Sequence, residues 1–274
     1  MAPRIWFVTG ASRGLGLAIV KAALEAGDSV AATARLPSQL SPLVDEYGSD
    51  RVLALELDVT KNDQVIDTIN QTVNKFGRLD VLVNNAGYAN IESIEHVPMD
   101  DFRQQFETCF FGTVYPSKAA IPVMRKQGSG HIIQISSLGG RLGTPGLGAY
   151  QSAKWAVGGF STVLRAEVAA FGIKVIVCEP AGMKTDWAGS SMGLPRAQEG
   201  YEQTVGAGVE FMKQVMPSWS EPADVARSIL YISKVPDPPM KLLLGPESPG
   251  YAERVAEQLA KDDEKWRKVT MLQV

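Results

Sequence analysis

The sequence predicts an α/β protein whose core is a doubly wound parallel sheet of about seven strands, with helices on both faces. Short runs rich in branched apolar residues alternate along the chain with longer segments of helical periodicity. These short runs are almost wholly apolar, which is typical of parallel strands buried on both faces. The 274 residues fit one such domain, and no linker or repeat divides them. Residues 1–274 are therefore expected to form a single domain.

Each element is predicted from its apolar pattern and from the residues that bound it. The predicted strands are Ile5–Val8, Ser29–Ala34, Val52–Leu57, Asp80–Val83, His131–Ser136, Lys174–Cys178 and Lys241–Leu244. The predicted helices are Gly14–Ala26, Gln39–Tyr47, Asn62–Phe76, Asp100–Lys126, Tyr150–Phe171, Glu221–Val235 and Tyr251–Lys268. Gly27, Gly77 and Gly172 each follow a helix directly, as expected of residues that end helices. Beyond Pro180 the alternation breaks, and residues 183–220 show only weak periodicity.

Composition and charge argue against several classes of partner. The net charge of −3 gives no reason to expect binding to nucleic acid or to an anionic membrane. Cys109 and Cys178 are the only cysteines and lack C-x-x-C spacing, so neither a disulfide framework nor a metal site is expected. No apolar run reaches the roughly 18 residues of a membrane span, and the run near the N-terminus is too short for a signal peptide. We therefore expect a cytoplasmic protein.

A glycine-rich segment, Thr9–Gly16, joins the first predicted strand to the first predicted helix. Glycines permit a tight turn, and the unpaired N–H groups at a helix start can bind a phosphate. The spacing G-x-x-x-G-x-G differs from the G-x-G-x-x-G dinucleotide pattern and lacks the lysine of a Walker loop. Gly10–Gly14 also satisfies G-x-S-x-G, the nucleophile turn of hydrolases, but that site needs a downstream acid and then a histidine. The histidines are only His96 and His131, and His131 begins a strand, so we favour phosphate binding.

The end of the second predicted strand bears on the choice of cofactor. An NAD site places an acidic residue about 20 residues beyond the glycines, where it binds the ribose 2′-hydroxyl. This strand instead ends Thr33-Ala34-Arg35, without an acid. Arg35 and Arg13 can together hold a 2′-phosphate through their guanidinium groups. The sequence therefore favours NADP(H).

Tyr150 and Lys154 are four residues apart in a predicted helix, and so they lie on one face of it. A nearby ammonium favours the phenolate: at about 4 Å and an effective dielectric constant of about 20, the attraction is roughly 4 kcal/mol. The pair can therefore act as a general acid and base, although a free tyrosine has a pKa of about 10. Ser136 and Ser137 end the fifth strand, at the sheet edge where doubly wound folds bind ligands. A hydroxyl there can hold a substrate oxygen or cap the next turn.

Together these motifs resemble the short-chain dehydrogenase/reductase family. The match comprises T-G-x-x-x-G-x-G at Thr9–Gly16, Asp58 at the end of the third strand, N-N-A-G at Asn84–Gly87, Ser137 thirteen residues before the tyrosine, and Y-x-x-x-K at Tyr150 and Lys154. The resemblance is strong over residues 4–185 and looser beyond them. Since the family has the Rossmann fold, the resemblance implies the same fold class as the periodicity.

The resemblance also implies roles for individual residues. Tyr150 would exchange a proton with the substrate oxygen, Lys154 would lower its pKa and hold the nicotinamide ribose, and Ser137 would orient the carbonyl. The implied cofactor-binding residues, besides Tyr150 and Lys154, are Gly10, Ser12, Arg13, Gly14, Leu15, Gly16, Arg35, Asp58, Val59, Asn85, Ala86, Gly87, Pro180, Gly182, Met183 and Thr185. The implied substrate-binding residues are Ser137, Leu138, Tyr150 and Trp187. Family members have a substrate lid in the region corresponding to about 186–220, where the apolar side chains suit a bulky apolar ligand or simply pack the lid onto the body.

The sequence departs from the family pattern at two positions. Cys109 stands where the family usually has an asparagine that helps to hold a water linking the lysine to solvent. A thiol is a weak donor and acceptor and a poor substitute, although the backbone carbonyl at that position can still hold the water. Ala181 replaces the usual first glycine of P-G-x-x-x-T, a milder change.

The function implied by the resemblance is an NADPH-dependent carbonyl reductase, or the reverse alcohol dehydrogenase. Its substrate would be a ketone or secondary alcohol of a small, apolar molecule, and it would act as a homodimer or homotetramer. Cys109 motivates the alternative of a non-redox protein on the same scaffold: a dehydratase, an isomerase or an NADP-sensing binding protein.

Overall fold

The computed structural model describes residues 3–185 and 199–273, and these contain a sheet of seven parallel strands. The strands are β1 (Ile5–Val8), β2 (Ser29–Ala34), β3 (Val52–Glu56), β4 (Val81–Asn84), β5 (Gly130–Ile135), β6 (Ile173–Pro180) and β7 (Lys241–Leu244). Their order across the sheet is β3-β2-β1-β4-β5-β6-β7. The chain runs outward from β1 to β3 and then returns to place β4 on the other side of β1. This topology confirms the predicted doubly wound parallel sheet.

Helices cover both faces of the sheet. They are α1 (Gly14–Glu25), α2 (Ser41–Tyr47), α3 (Asn62–Phe76), α4 (Met99–Phe106), α5 (Gly112–Gln127), α6 (Gly148–Val168), α7 (Ala207–Val215), α8 (Pro222–Ile232), α9 (Ser248–Lys265) and α10 (Arg267–Thr270). Apolar side chains of α1, α2 and α8 pack on one face, and those of α3, α5 and α6 pack on the other. Burial on both faces explains why the strands are apolar throughout rather than alternating.

The predicted uninterrupted helix Asp100–Lys126 is wrong, because a π-helical turn over Glu107–Phe111 separates α4 from α5. In this turn the N–H of Gly112 donates to the carbonyl of Glu107, five residues back. Pro116 lies in the first turns of α5 and has no N–H to donate to the carbonyl of Gly112, which leaves the hydrogen-bond ladder irregular here. A π turn disturbs the apolar periodicity only slightly, so the pattern alone does not reveal it. Such turns often occur at functional sites.

Two features of the described residues bear on the classes of partner considered above. Across residues 3–185 and 199–273, no helix combines the length and the apolar character that crossing a bilayer requires. In the same residues, His, Cys, Asp and Glu side chains form no group of three or more that could hold a metal ion.

Candidate active site

The motifs come together at the carboxyl edge of the sheet. β1 lies between β2 and β4, where the strand order reverses, and doubly wound sheets bind ligands at this point. The loop after β1 carries the glycines, and the loops after β4, β5 and β6 carry Asn85–Gly87, Ser137 and Ala181–Thr185. α6 begins at the same edge and carries Tyr150 and Lys154.

The Thr9–Gly16 loop enters α1 in a conformation that requires its glycines. Gly10 and Gly14 have φ angles of 64° and 54°, in the left-handed region that side chains disfavour. A Cβ on Gly16 would overlap the carbonyl oxygen of Gly10 and lie 2.6 Å from the amide nitrogen of the Asn85 side chain. α1 has no acidic residue in its first turn, so no carboxylate there competes for the N–H groups at its start. This cradle fits the diphosphate of a dinucleotide.

The loop after β4 holds the glycine loop in shape. The Thr9 hydroxyl accepts hydrogen bonds from the N–H groups of Asn85 at 2.9 Å and Ala86 at 3.0 Å. The Asn85 side-chain amide donates to the carbonyls of Thr9 at 2.9 Å and Gly10 at 3.1 Å. In this structure the Asn85 side-chain amide therefore holds the glycine loop. Direct contact of Asn85–Gly87 with a cofactor stays a prediction.

The residues predicted to recognise the adenosine half of a cofactor differ in exposure. Arg13 and Arg35 are exposed, just before α1 and just after β2. Asp58 is half-buried, and its Oδ1 accepts hydrogen bonds from the N–H of Thr60 at 3.0 Å and its hydroxyl at 2.8 Å. Leu15, like Val59, is buried in an apolar cluster, so its backbone rather than its side chain is available to a ligand. Ser12 is half-buried in the glycine loop.

Tyr150 and Lys154 lie on one face of α6, and both are buried. The Lys154 ammonium lies 5.6 Å from the centroid of the Tyr150 ring and donates to the Ile135 carbonyl at 2.7 Å. A hydrogen bond joins the side chains of Ser137 and Tyr150. The Ser137 hydroxyl also accepts from the Gly139 N–H at 3.0 Å, so it caps the following turn while it contacts the tyrosine. The structure thus brings together all three predicted catalytic side chains.

Burial controls the protonation of this group. It raises the pKa of the Tyr150 phenol above its ordinary value, and Cys109 raises it further, while the hydrogen bond from Ser137 lowers it. Burial also lowers the pKa of Lys154. Desolvation is the largest effect on the pKa of Tyr150 in this structure, and the lowering of that pKa by Lys154 stays a prediction. A raised pKa favours the neutral phenol, the form that can donate a proton.

Cys109 lies in the π-helical turn and is fully buried. Its thiol donates to the Tyr88 carbonyl at 3.4 Å, and its own carbonyl accepts from the Thr113 hydroxyl at 3.1 Å. A Cβ on Gly87 would lie 3.3 Å from the Cys109 sulfur and 3.6 Å from the Lys154 ammonium. The thiol and the ammonium therefore approach the same point beside Gly87.

The loop after β6 reaches back to the glycine loop. A Cβ on Gly14 would lie 3.4 Å from the Thr185 side chain. Ala181 donates its N–H to the Leu244 carbonyl at 2.8 Å, and a Cβ on Gly182 would overlap the Trp219 indole. The loop is thus fixed by β7 and by Trp219. Trp187, together with Met192 and Leu194, lies outside the described residues.

The described part of the predicted lid packs beside the tyrosine. A π-helical turn, Glu202–Gly206, leads into α7. Val205 and Val209 from these elements form an apolar cluster with Ile91, Leu147 and Tyr150. At least these lid residues pack on the body, one of the two roles expected from the sequence.

One ion pair at this edge, with a buried carboxylate, is not predicted by any sequence motif. The Arg141 guanidinium donates to the carboxylate of Glu179, which is next to last in β6. The partners are 38 residues apart, so no local spacing links them. The available signal is an acidic residue at the end of an otherwise apolar strand, directly before Pro180.

Comparisons with known proteins agree with this geometry. A family model described as short chain dehydrogenase matches residues 4–192. Oxidoreductase BOA17 of Botryotinia fuckeliana is 54% identical over 269 residues, which cover 98% of each chain. The crystal structure of a short-chain dehydrogenase from Streptomyces avermitilis has a TM-score of 0.92 at 33% identity, covering 100% of this chain and 99% of that one. ElxO, solved with NADP bound, has a TM-score of 0.76 at 28% identity, covering 91% of this chain and 100% of its own. The chain belongs to the short-chain dehydrogenase family and is an oxidoreductase of that type.

Proposed function

We propose that the protein is an NADP(H)-dependent oxidoreductase that exchanges a hydride with a ketone or secondary alcohol of a small, apolar molecule. The observation that carries the proposal is the contact of buried Tyr150 with Ser137 and Lys154, at the sheet edge that also carries the glycine cradle. A bound nicotinamide supplies or accepts the hydride. The chain itself must then orient the substrate and move one proton.

The proton is assigned to the Tyr150 hydroxyl. In the reducing direction the substrate oxygen gains negative charge, and the neutral phenol donates to it. The Ser137 hydroxyl, which hydrogen-bonds to Tyr150, orients that oxygen and stabilises its charge. Lys154 replenishes the proton and, with its ammonium buried beside Gly87, holds the ribose of the cofactor. In the oxidising direction the same groups act in reverse.

The preference for NADP(H) is assigned to Arg13 and Arg35. Both are exposed at the edge where the glycine loop begins α1, and β2 ends without a carboxylate that would bind a 2′-hydroxyl. ElxO, which is similar over 91% of this chain, was solved with NADP, and this supports the same choice here.

An apolar substrate is supported by the surroundings of Tyr150. Ile91, Leu147, Val205 and Val209 form an apolar cluster with the tyrosine. A ligand that reaches the Tyr150 hydroxyl would approach through apolar side chains, and such sites select apolar molecules and orient them with a few polar groups.

A non-redox activity on the same scaffold is the second candidate, and Cys109 is the observation that favours it. The thiol lies where the family usually has an asparagine, and both it and the Lys154 ammonium lie beside Gly87. A dehydratase, an isomerase or an NADP-sensing binding protein would bind NADPH without oxidising it.

The test is oxidation of NADPH, followed by absorbance, against a panel of apolar ketones. Removal of a general acid costs about 10²–10⁴-fold, so Tyr150→Phe should lower kcat by that factor and leave NADPH affinity intact. Tyr231→Phe, an exposed tyrosine on α8, is the matched control and should retain full activity. NADPH binding without turnover of any ketone or of the reverse alcohols would favour the non-redox candidate.

We propose in addition that the protein is a homodimer or homotetramer in the cytoplasm, with residues 1–274 as one domain. Sedimentation of the purified chain tests the oligomeric state, and fractionation of the source cells tests the location. A monomer in sedimentation would contradict the first.

A further inference from the structure

The ion pair between Arg141 and Glu179 lies in an unusual place for two charges. The Glu179 side chain is 1% exposed and that of Arg141 is 30% exposed. Burial raises the pKa of Glu179, whereas the hydrogen bond and the charge of Arg141 lower it, and the charge of Lys241 also lowers it. Because a buried carboxylate is stable only when a cation is held close to it, the two side chains fix each other.

The two partners belong to different elements at the edge of the proposed site. Arg141 directly follows the short 3-10 turn Leu138–Gly140, which begins immediately after Ser137. Glu179 lies in β6 directly before Pro180, where the strand ends and the loop Ala181–Thr185 begins. The ion pair therefore links the loop of the catalytic serine to the end of β6.

The turn between Ser137 and Arg141 is packed so closely that a small displacement of it would move the neighbouring atoms. A Cβ on Gly140 would lie 2.7 Å from the Ser136 hydroxyl and 3.1 Å from the Lys154 carbonyl. The Ser136 hydroxyl donates to that same Lys154 carbonyl at 3.2 Å. A shift of Arg141 would thus be transmitted both to Ser137 and to the helix that carries the Tyr–Lys pair.

The far end of the same loop is held by a neutral side chain. The Gln151 carbonyl oxygen accepts from the Thr144 N–H at 2.7 Å, and the Gln151 amide donates to the Thr144 hydroxyl at 3.1 Å. Gln151 follows Tyr150 directly on α6. The Ser137–Thr144 segment, which we call the serine loop, is therefore fastened to α6 at one end and to β6 through Arg141.

We propose that Arg141 and Glu179 are positioning residues, which hold the serine loop against the end of β6 so that the Ser137 hydroxyl keeps its place beside Tyr150. The expected effect on catalysis rests on the proposed function, whereas the expected effect on the serine loop rests on the contacts alone. Neither residue is expected to touch the substrate. Their loss should misplace Ser137 relative to the reacting carbonyl, and an error of about 1 Å there can cost 10²-fold in rate.

The kinetic test compares Arg141→Met, Glu179→Gln and Arg141→Lys with the parent enzyme. Loss of positioning should lower kcat by at least about tenfold, while KM for the ketone and Kd for NADPH change by less than about threefold, because orientation matters most in the transition state. Arg141→Lys keeps the positive charge and should recover most of the lost kcat. Values of kcat within about twofold of the parent for both Arg141→Met and Glu179→Gln would overturn the proposal.

A matched control separates positioning from general loss of stability. Arg4 and Asp28 form another largely buried ion pair, at 3.1 Å, at the opposite edge of the sheet. Arg4→Met should lower the melting temperature and leave kcat unchanged at a temperature where the variant is folded. An equal loss of kcat in Arg4→Met would show that the effect on Arg141 is not local, and the proposal would fail.

Amide hydrogen exchange tests the same proposal without turnover, so it is independent of the proposed function. Peptides that cover the serine loop should exchange at least about tenfold faster in Arg141→Met and Glu179→Gln, with no change in Arg4→Met. Unchanged exchange in the serine loop would overturn the proposal. If the parent enzyme reduces no ketone but exchange accelerates as expected, the proposed function fails and the loop contact stands.

Discussion

Two loops leave the same edge of the sheet and are built in opposite ways. The Thr9–Gly16 loop is shaped by backbone: two left-handed glycines, a third glycine that leaves no room for a Cβ, and hydrogen bonds to main-chain carbonyls from Asn85. The serine loop, Ser137–Thr144, is held by side chains, through the Arg141–Glu179 ion pair and the Gln151 amide. One loop offers N–H groups to an anion, and the other places a single hydroxyl.

The difference follows from what each loop has to do. A diphosphate is recognised by several backbone N–H groups at once, so a rigid backbone with small residues is suited to bind it. A reacting carbonyl needs one donor at one point, and a side chain can be set there only by packing and by partners behind it. The first kind of loop should fail through steric overlap, and the second through loss of a distant partner.

The largest effect should come from overlap in the glycine loop. Gly16→Ala places a methyl group against the Gly10 carbonyl, and forced shifts in packed structure cost roughly 1–3 kcal/mol. NADPH affinity, measured by fluorescence titration, should fall by up to about 100-fold. Gly27→Ala is the control: its φ of 90° is left-handed, unlike that of Gly16, but no atom beyond its chain neighbours lies within 4 Å of its Cβ position. Gly27→Ala should lower the free energy of unfolding and leave NADPH affinity unchanged. Equal NADPH affinity in Gly16→Ala and Gly27→Ala would contradict the steric account.

A smaller effect is expected where the glycine loop uses charge instead of backbone. Arg35→Leu should weaken NADPH binding by up to about fivefold, since exposed ion pairs contribute up to about 1 kcal/mol each. NADH binding should stay unchanged, because NADH lacks the 2′-phosphate. Titration of both nucleotides at two salt concentrations checks this, and parallel losses for NADH and NADPH would refute the role of Arg35.

In the π-helical turn beside Gly87, Cys109→Asn should raise activity by a smaller factor. The variant supplies a stronger donor and acceptor next to Lys154 and removes a thiol that raises the pKa of Tyr150. We expect kcat to rise by up to about threefold, equivalent to about 0.65 kcal/mol. Cys178→Ser is the control: this cysteine is in β6 and its side chain packs in the apolar cluster with α1 and α8, so it should give no gain. A kcat that does not rise would mean that the thiol does not impair proton transfer.

The smallest effect on activity should come from His131, at the amino end of β5 and remote from both loops. Burial, Arg4 and Lys174 lower its pKa, so the folded protein favours the neutral ring. The stability it contributes is present above the unfolded pKa of about 6.5 and is lost as the pH falls through the lower folded pKa. In His131→Gln the free energy of unfolding should therefore fall less between about pH 7.5 and pH 5 than in the parent. A steeper fall in the variant than in the parent would contradict this expectation. The kcat of His131→Gln should equal that of the parent.

The two loops also differ in how far the sequence predicts them. The strands, their parallel order and the Thr9–Gly16 cradle follow from local patterns, because glycine spacing and apolar runs act over a few residues. The Arg141–Glu179 contact depends on β5 and β6 being neighbours, and the π turn at Cys109 hardly changes the periodicity of its helix. The raised pKa of Tyr150 likewise depends on the depth of burial, which the i and i+4 spacing of Tyr150 and Lys154 does not reveal.

The central claim is that a hydride passes between a nicotinamide and a substrate carbon while Tyr150 provides the proton. The most direct measurement is reduction of an apolar ketone with NADPH deuterated at the transferable position, followed by mass spectrometry of the alcohol. We expect one deuterium on the carbinol carbon, and a rate lowered by about 10²–10⁴-fold in Tyr150→Phe. An alcohol without deuterium, or an undiminished rate in Tyr150→Phe, would contradict the account.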